Sequence, residues 1–435
     1  MKFIYSDNQD YVDPDYDFTT DTFKPGRERY WDDRYAHELM AQTPYDGVLV
    51  SMSLVRQASN VAVSKVRYST KEEQRLLRDG IRRFLRLDEE RFRDMMLVGD
   101  CGAFAMTESS QTAFAPEEVV EFYAEAEFTH GVSPDLIIFE CDLSNPTLEH
   151  YEEEVRGRIR QRFELTLHNA EVFYKLARAE GFPFVPMGAV QGWSPESLGQ
   201  AARQLEAMGF EYLAVGGLVP LKPEAIKEVL RHIRSNIRST TKLHLLGFAK
   251  ADNIHEFKDF GITSFDSSSP MVRAFRDDRA NFFVDLGRPA LEYFAAIRIP
   301  QAIENPSLMQ GVKRGLFRAE DLHDHEQAAL ATLRRFDRGE ATLRAAVGAV
   351  LAYATFLGKA RSGEVSTQEK VLAKTEQQLE RTLSAAPWRL CDCDICSVIG
   401  IDVIIFRGSN RNKRRGMHNL GVYYRHLQRT LETEA

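Results

Sequence analysis

Cysteine is scarce in this chain, positive charge is in deficit, and no apolar run is long. Five cysteines in 435 residues exclude a disulfide-built scaffold, and three of the five fall between Cys391 and Cys396. No apolar stretch reaches the ~18 residues that span a bilayer; Val398 to Phe406 is short and holds Asp402. Met1 to Asp10 carries no apolar signal-peptide core. A formal net charge of −8 excludes a surface that is basic all over and holds nucleic acid by charge alone. Free Cys101 and Cys141 beside a metal-type cluster suit a reducing compartment. The expectation is a cytoplasmic protein with no membrane partner.

The chain does hold a rhythm. With 43% apolar and 28% charged residues it has the make-up of a folded protein of one large or two ordinary domains. Strand-like runs stand at Lys2 to Asp7, Asp46 to Met52, Met95 to Gly99, Leu136 to Phe139, Phe184 to Val190, Tyr212 to Val215, Leu243 to Leu246 and Ile262 to Phe265. Helical patterns separate most of them, among them Lys71 to Leu87, Leu148 to Ala179 and Ser194 to Met208, the last with Ser194 as N-cap and Pro195 at its first position. Short apolar strands alternating with longer helices demand parallel strands and helical crossovers. Eight strands, and no Gly-rich dinucleotide fingerprint after the first ones, predict an α/β fold of the (β/α)8 TIM barrel type.

The expected domains are an N-terminal strand and extension over 1–45, the catalytic barrel over 46–300, a helical insertion over 301–386 and a zinc-binding subdomain with a final helix over 387–435. Cys391, Cys393, Cys396 and His418 can close a tetrahedral Zn²⁺ site, and four protein ligands leave no open position, so the zinc is expected to be structural. Arg407 to Arg415 reads RGSNRNKRR. It is either a solvated loop or, through Arg411, Lys413, Arg414 and Arg415, a contact to a phosphate backbone.

Catalytic groups of such barrels sit at the C-terminal ends of strands. There the sequence places Asp100, Glu140 and Asp142, Gln191, Gly216-Gly217, Gly247 and Asp266. Each has a plainer reading: a tight turn for the glycines, a helix cap for Gln191, Asp100 or Asp142. Two carboxylates on one rim can also divide labour between nucleophile and general acid/base, as in glycosyl transfer.

These residues carry a likeness. Cys-Asp-Cys-Asp-Ile-Cys with His418-Asn419, the Val98 to Phe104 loop, Ala189-Val190-Gln191-Gly192, Ala214-Val215-Gly216-Gly217-Leu218 and Phe265-Asp266-Ser267-Ser268-Ser269-Pro270 resemble, in order, the motifs of the tRNA-guanine transglycosylases. The resemblance implies that Asp266 is a nucleophile at C1′ of a nucleotide and Asp100 the general acid/base. It implies that Asp142 and Gln191 read the base edge, with backbone at Gly217 and Leu218, while Phe104 stacks on the base and Leu246 closes the other face. Aligning on Phe139 instead makes Glu140 the base reader. Cys101 and Ala103 depart from the family's Ser and Gly.

The acidic N-terminal segment and Tyr35 to Gly47 look like the DpdA-type branch, which places 7-deazaguanines such as preQ0 in DNA. The resemblance therefore implies DNA as partner, with tRNA or a non-catalytic nucleic-acid-binding subunit as the alternatives. It also implies a homodimer and leaves room for a helper ATPase. A barrel hydrolase or lyase with a structural zinc is a further reading.

Overall fold

The computed structural model describes residues 1–57, 66–106, 111–141, 146–248, 251–361 and 365–432. Eight strands close a barrel in sequence order: β1 (Lys2–Ser6), β2 (Gly47–Ser51), β3 (Met96–Asp100), β4 (His130–Val132), β5 (Val185–Val190), β6 (Tyr212–Val215), β7 (Lys242–Leu245) and β8 (Ile262–Ser267). All neighbours are parallel, and β1 shuts the barrel against β8 with Ile4 opposite Asp266. The expected (β/α)8 barrel is therefore the fold. Its interior is filled by Ile4, Leu49, Met96, Val98, Val132, Met187, Ala189, Tyr212 and Ala214, with Leu246 packed against them. These are strand residues buried on one face, as barrel closure requires.

The fourth strand corrects the sequence reading. It is His130–Val132, whereas Leu136 to Phe139 is irregular, although Leu136, Ile137 and Ile138 are all buried. Side chains satisfy this run in place of a ladder. Thr166 Oγ1 accepts from Leu136 N at 3.1 Å, Arg162 donates to Ile137 O at 2.7 Å, and Gln191 Oε1 accepts from Ile138 N at 3.3 Å. An apolar run buried by its surroundings has the same composition as a strand, and periodicity alone does not separate the two.

Local signals set the helices. Ser194 accepts from Ser197 N and Pro195 follows it, opening helix Pro195–Met208, which Gly209 ends in the left-handed region. The stretch Thr70–Phe84 is broken at Gly80, where φ is 75°.

Two compact units divide the chain. The first comprises Met1–Gln9, Tyr45–Ser268 and Leu431–Ala435; the second comprises Asp10–Pro44 and Ser269–Thr430. The expected barrel boundary at residue 300 thus falls inside the second unit. That unit holds two short strand pairs and the helices Pro306–Lys313, Ala319–Asp337, Leu343–Arg361 and Val365–Ala385, followed by Asp394–Ile399 and Ser409–Glu432. One stretch, Leu343–Ala360, has a mean hydropathy of 1.2 and the length to cross a membrane. Here it packs among its neighbouring helices, burying Ala346, Val347, Val350 and Tyr353, and the Tyr353 hydroxyl donates to Pro300 O at 2.6 Å.

Candidate active site and metal centre

The C-terminal ends of the barrel strands gather the polar groups. Asp266, in β8, is 6% exposed. Its Oδ1 accepts from Gly247 N at 2.8 Å and lies 3.2 Å from His244 Nε2, and its Oδ2 accepts from Ser6 Oγ at 2.6 Å. Asp100 ends β3, and its Oδ2 accepts from Ser51 Oγ at 2.7 Å. Register explains the pairing: Ser51 lies opposite Asp100 across β2 and β3, and Ser6 ends β1, the strand that pairs with β8. Burial raises the Asp100 carboxyl above its ordinary range. The hydrogen bonds from Ser51 and Gly102 oppose that shift, and the nearby Asp266 charge adds to it.

Gln191 does not cap a helix. It is buried, donates from Nε2 to Asp135 Oδ2 at 2.6 Å, and accepts from Ile138 N. Gly216 makes room for that carboxamide, since a Cβ there would meet Gln191 Nε2 at 2.2 Å. Gly217 has φ +73° and its Cβ would crowd Ile138 O at 2.9 Å, so both the backbone conformation and the close approach call for glycine. Leu218 is buried, and Leu246 packs on the barrel interior. Phe104 is 60% exposed and meets Phe139 edge-on at 5.9 Å between centroids. The structure thus brings Asp100, Gln191, Gly217, Leu218, Leu246 and Asp266 to the same set of strand ends. Asp142 lies outside the described residues, and Glu140 is paired with Arg158 at 2.8 Å.

Four residues of this constellation escaped the sequence reading: Ser6, Ser51, His244 and Asp135. Asp135 follows β4 by three residues and was hidden by taking Leu136 to Phe139 for the strand. It is 3% exposed. Burial, then the charge of Asp100, pushes its carboxyl up to about 7, against the hydrogen bond from Gln191. The Cys101 thiol lies 3.7 Å from Asp135 Oδ1 and is pushed up by burial and by both carboxylates. A polar residue in an otherwise apolar strand, such as His244 within KLHL or the terminal serines of KFIYS and GVLVS, is the signal that marks the other three.

In the second unit, Cys391, Cys393, Cys396 and His418 form a cluster whose ligand atoms all lie within 4.8 Å of one another. His418 Nδ1 lies 3.6, 3.3 and 3.2 Å from the three sulfurs in turn. A tetrahedral zinc with ordinary Zn–S and Zn–N bonds separates such atoms by roughly 3.5 Å. The cluster therefore has the donor set and spacing to hold a metal ion. His418 Nε2 donates to Phe283 O at 2.8 Å, which leaves Nδ1 as the ligand atom, and the ring stacks on Phe282 at 3.9 Å.

The basic run is not a solvated loop, and three of its four expected phosphate contacts are buried. It opens helix Ser409–Glu432, and Arg411, Arg414 and Arg415 are all buried. Arg411 pairs with Asp21 and, at 3.0 Å, with Asp402. Arg414 donates to Asp13 O and Pro14 O at 2.8 and 3.0 Å. Arg415 donates to Val403 O, Ile405 O and Ala274 O. Lys413 is partly exposed and reaches Tyr11 O at 3.3 Å. These buried guanidinium groups are turned towards the protein's own carbonyls and carboxylates rather than towards solvent. Sequence could not show this, because many of the partners, Asp13, Pro14, Asp21 and Ala274 among them, lie far away along the chain.

Comparison with known proteins finds relatives of this chain. A family profile described as Queuine tRNA-ribosyltransferase matches residues 58–292. The chain is 37% identical to a DNA-guanine transglycosylase of Salmonella montevideo, over 99% of this chain and 97% of that protein. It is 23% identical to a tRNA-guanine(15) transglycosylase of Methanococcus aeolicus over 35% of this chain and 22% of the relative. A tRNA-guanine(15) transglycosylase of Pyrobaculum aerophilum is 26% identical over 42% of this chain and 35% of its own length.

Proposed function

Since the chain belongs to the tRNA-guanine transglycosylase superfamily, in its DpdA-type branch, and is a guanine-exchanging pentosyltransferase, we propose that its substrate is DNA and that it replaces guanine there with a 7-deazaguanine base such as preQ0. The observation that carries the choice of DNA is the near full-length similarity to a protein named for acting on DNA, against partial matches to the tRNA enzymes.

In this reading an oxygen of Asp266 attacks C1′ of the target nucleotide. The C1′–N9 bond breaks, and Asp100 gives its proton to N9 of the departing guanine. Asp100 then takes the N9 proton of the entering base, whose nitrogen attacks C1′ and releases the Asp266 carboxylate. Two displacements return the original configuration at C1′. A carboxyl raised by burial suits a group that must first be an acid. The target base must leave its stack, and Phe104, exposed at the rim, is the ring on which it would lie. Gln191, Asp142, Leu246 and the backbone at Gly217 and Leu218 would line the base slot. The Cys3His cluster would hold a structural zinc, distant in sequence from the reacting groups.

The test is incubation of the purified protein with labelled preQ0 and either guanine-containing plasmid DNA or tRNA. Label in DNA alone supports the proposal, and label in tRNA alone overturns the choice of DNA. When the incubation is repeated with single-stranded DNA, label there but not in the duplex makes a strand-opening partner the missing component.

A further inference from the structure

Below Asp266 a line of buried polar groups crosses the barrel interior from β6 to β8 to β7. The Tyr212 hydroxyl lies 2.7 Å from Ser264 Oγ, Ser264 Oγ lies 2.6 Å from His244 Nδ1, and His244 Nε2 lies 3.2 Å from Asp266 Oδ1. Tyr212 is 2% exposed, while His244 and Ser264 are fully buried. Four polar side chains in the packed interior of a barrel are costly unless each is satisfied, and here each is.

The directions of these bonds follow from the far end. The buried Tyr212 O–H has Ser264 as its acceptor, and turning that bond around would leave a phenolic hydrogen without a partner in the core. Tyr212 therefore donates to Ser264, and Ser264 donates to His244 Nδ1. An imidazole that accepts at Nδ1 carries its hydrogen on Nε2, the nitrogen facing Asp266. Burial keeps the Tyr212 proton in place by pushing its hydroxyl up to about 12. His130, edge-on to Tyr212 at 5.8 Å, is pushed down to about 4 by burial and by His244, so it adds no charge to this interior at neutral pH.

We propose that His244 is a positioning residue for the nucleophilic carboxylate, held as the Nε2–H tautomer by the hydroxyl pair Tyr212 and Ser264. Oδ1 of Asp266 is then fixed by two N–H donors, Gly247 N and His244 Nε2, while Oδ2 accepts from the Ser6 hydroxyl and, with one fewer donor among the described residues, is the oxygen that attacks. In the covalent intermediate Oδ2 carries the new bond to C1′ and Oδ1 becomes the ester carbonyl, already facing its two donors. When the second base attacks, the C1′–Oδ2 bond breaks and the same donors receive the returning negative charge. This inference rests on the base-exchange reading of Asp266.

Two measurements test it separately. In full-length protein with ¹⁵N-labelled histidine, long-range ¹H–¹⁵N spectra, with His244 identified by its loss in His244→Gln, should show the neutral Nε2–H tautomer. Tyr212→Phe should shift the ring towards a tautomer mixture. An imidazolium or an Nδ1–H tautomer in the unaltered protein overturns the relay, whatever the activity.

The second measurement is the single-turnover rate of covalent protein–DNA adduct, read on a denaturing gel. His244→Phe keeps the ring volume but removes the donor, and should slow adduct formation about 100-fold with little change in DNA affinity. His244→Gln restores an N–H near the Nε2 position and should recover most of that loss. A His244→Phe rate equal to the unaltered protein's, or a Gln variant no better than the Phe variant, overturns the positioning role. If the unaltered protein forms no adduct with DNA or tRNA while the tautomer is as expected, the base-exchange reading fails and takes the positioning role with it, leaving the relay in place.

Discussion

Gln191 donates from Nε2 to Asp135 Oδ2 at 2.6 Å, and its other amide atom holds the backbone of Ile138. One buried carboxamide therefore ties the end of β5 to the irregular segment after β4. The partner that fixes it is an acid that the apolar run following it obscured.

Asp135 makes stability depend on pH. Its carboxyl stands at about 7 in the folded chain, because of burial first and the Asp100 charge second, against ~3.9 in an unfolded one. A raised folded value means the folded state binds the proton more tightly. Its contribution is complete below about pH 4 and is lost as pH rises through 7. Asp135→Asn removes this titration while keeping a polar partner for Gln191. Urea unfolding at pH 5 and pH 8 should show the variant gaining on the unaltered protein at the higher pH, by on the order of 1.4 kcal/mol per pKa unit removed. Curves that stay parallel would reject the assignment.

Asp266→Asn preserves the shape of the nucleophile but not its negative oxygen. Base exchange should fall by at least ~10³-fold, while affinity for nucleic acid changes by no more than about threefold. Label incorporation and fluorescence anisotropy read the two quantities. Exchange retained by the variant would refute Asp266 as the attacking group.

Arg411→Met tests the corrected reading of the basic run. It takes one of two arginines from each of Asp21 and Asp402, which keep Arg407 and Arg334, and the lost charged hydrogen bonds cost about 1.5–3 kcal/mol. The melting temperature should drop, yet the folded fraction should bind DNA with an unchanged salt dependence. A reduced salt slope at full stability would return Arg411 to the phosphate-contact role.

Cys393→Ala removes one of the four clustered ligand atoms. Metal content by mass spectrometry should fall below stoichiometric. If the site contributes even a third of the ~10 kcal/mol seen for structural zinc in small peptides, melting should drop by about 6–12 °C for a unit of this size. A metal-free variant of unaltered stability would show that the cluster does not support the fold.

Residue order and type are enough to predict much of this molecule. Apolar runs alternating with helical patterns specify parallel strands. Seven of the eight expected strands lie where the alternation put them, because burial on both faces leaves a continuous apolar run. The short spacing of Cys391, Cys393 and Cys396 announces a metal cluster, since three sulfurs so close in sequence can meet on one turn. Asp100, Gln191 and Asp266 are placed at strand ends by the barrel's own geometry. Pairing across sequence distance is the part that only tertiary structure decides. Ser6 reaches Asp266 from 260 residues away, and His244 meets it through a neighbouring strand. Arg414 is taken up by backbone 400 residues distant. A run of arginines has the same composition whether its partners are phosphates or the protein's own carbonyls, and only the folded chain brings those carbonyls within reach.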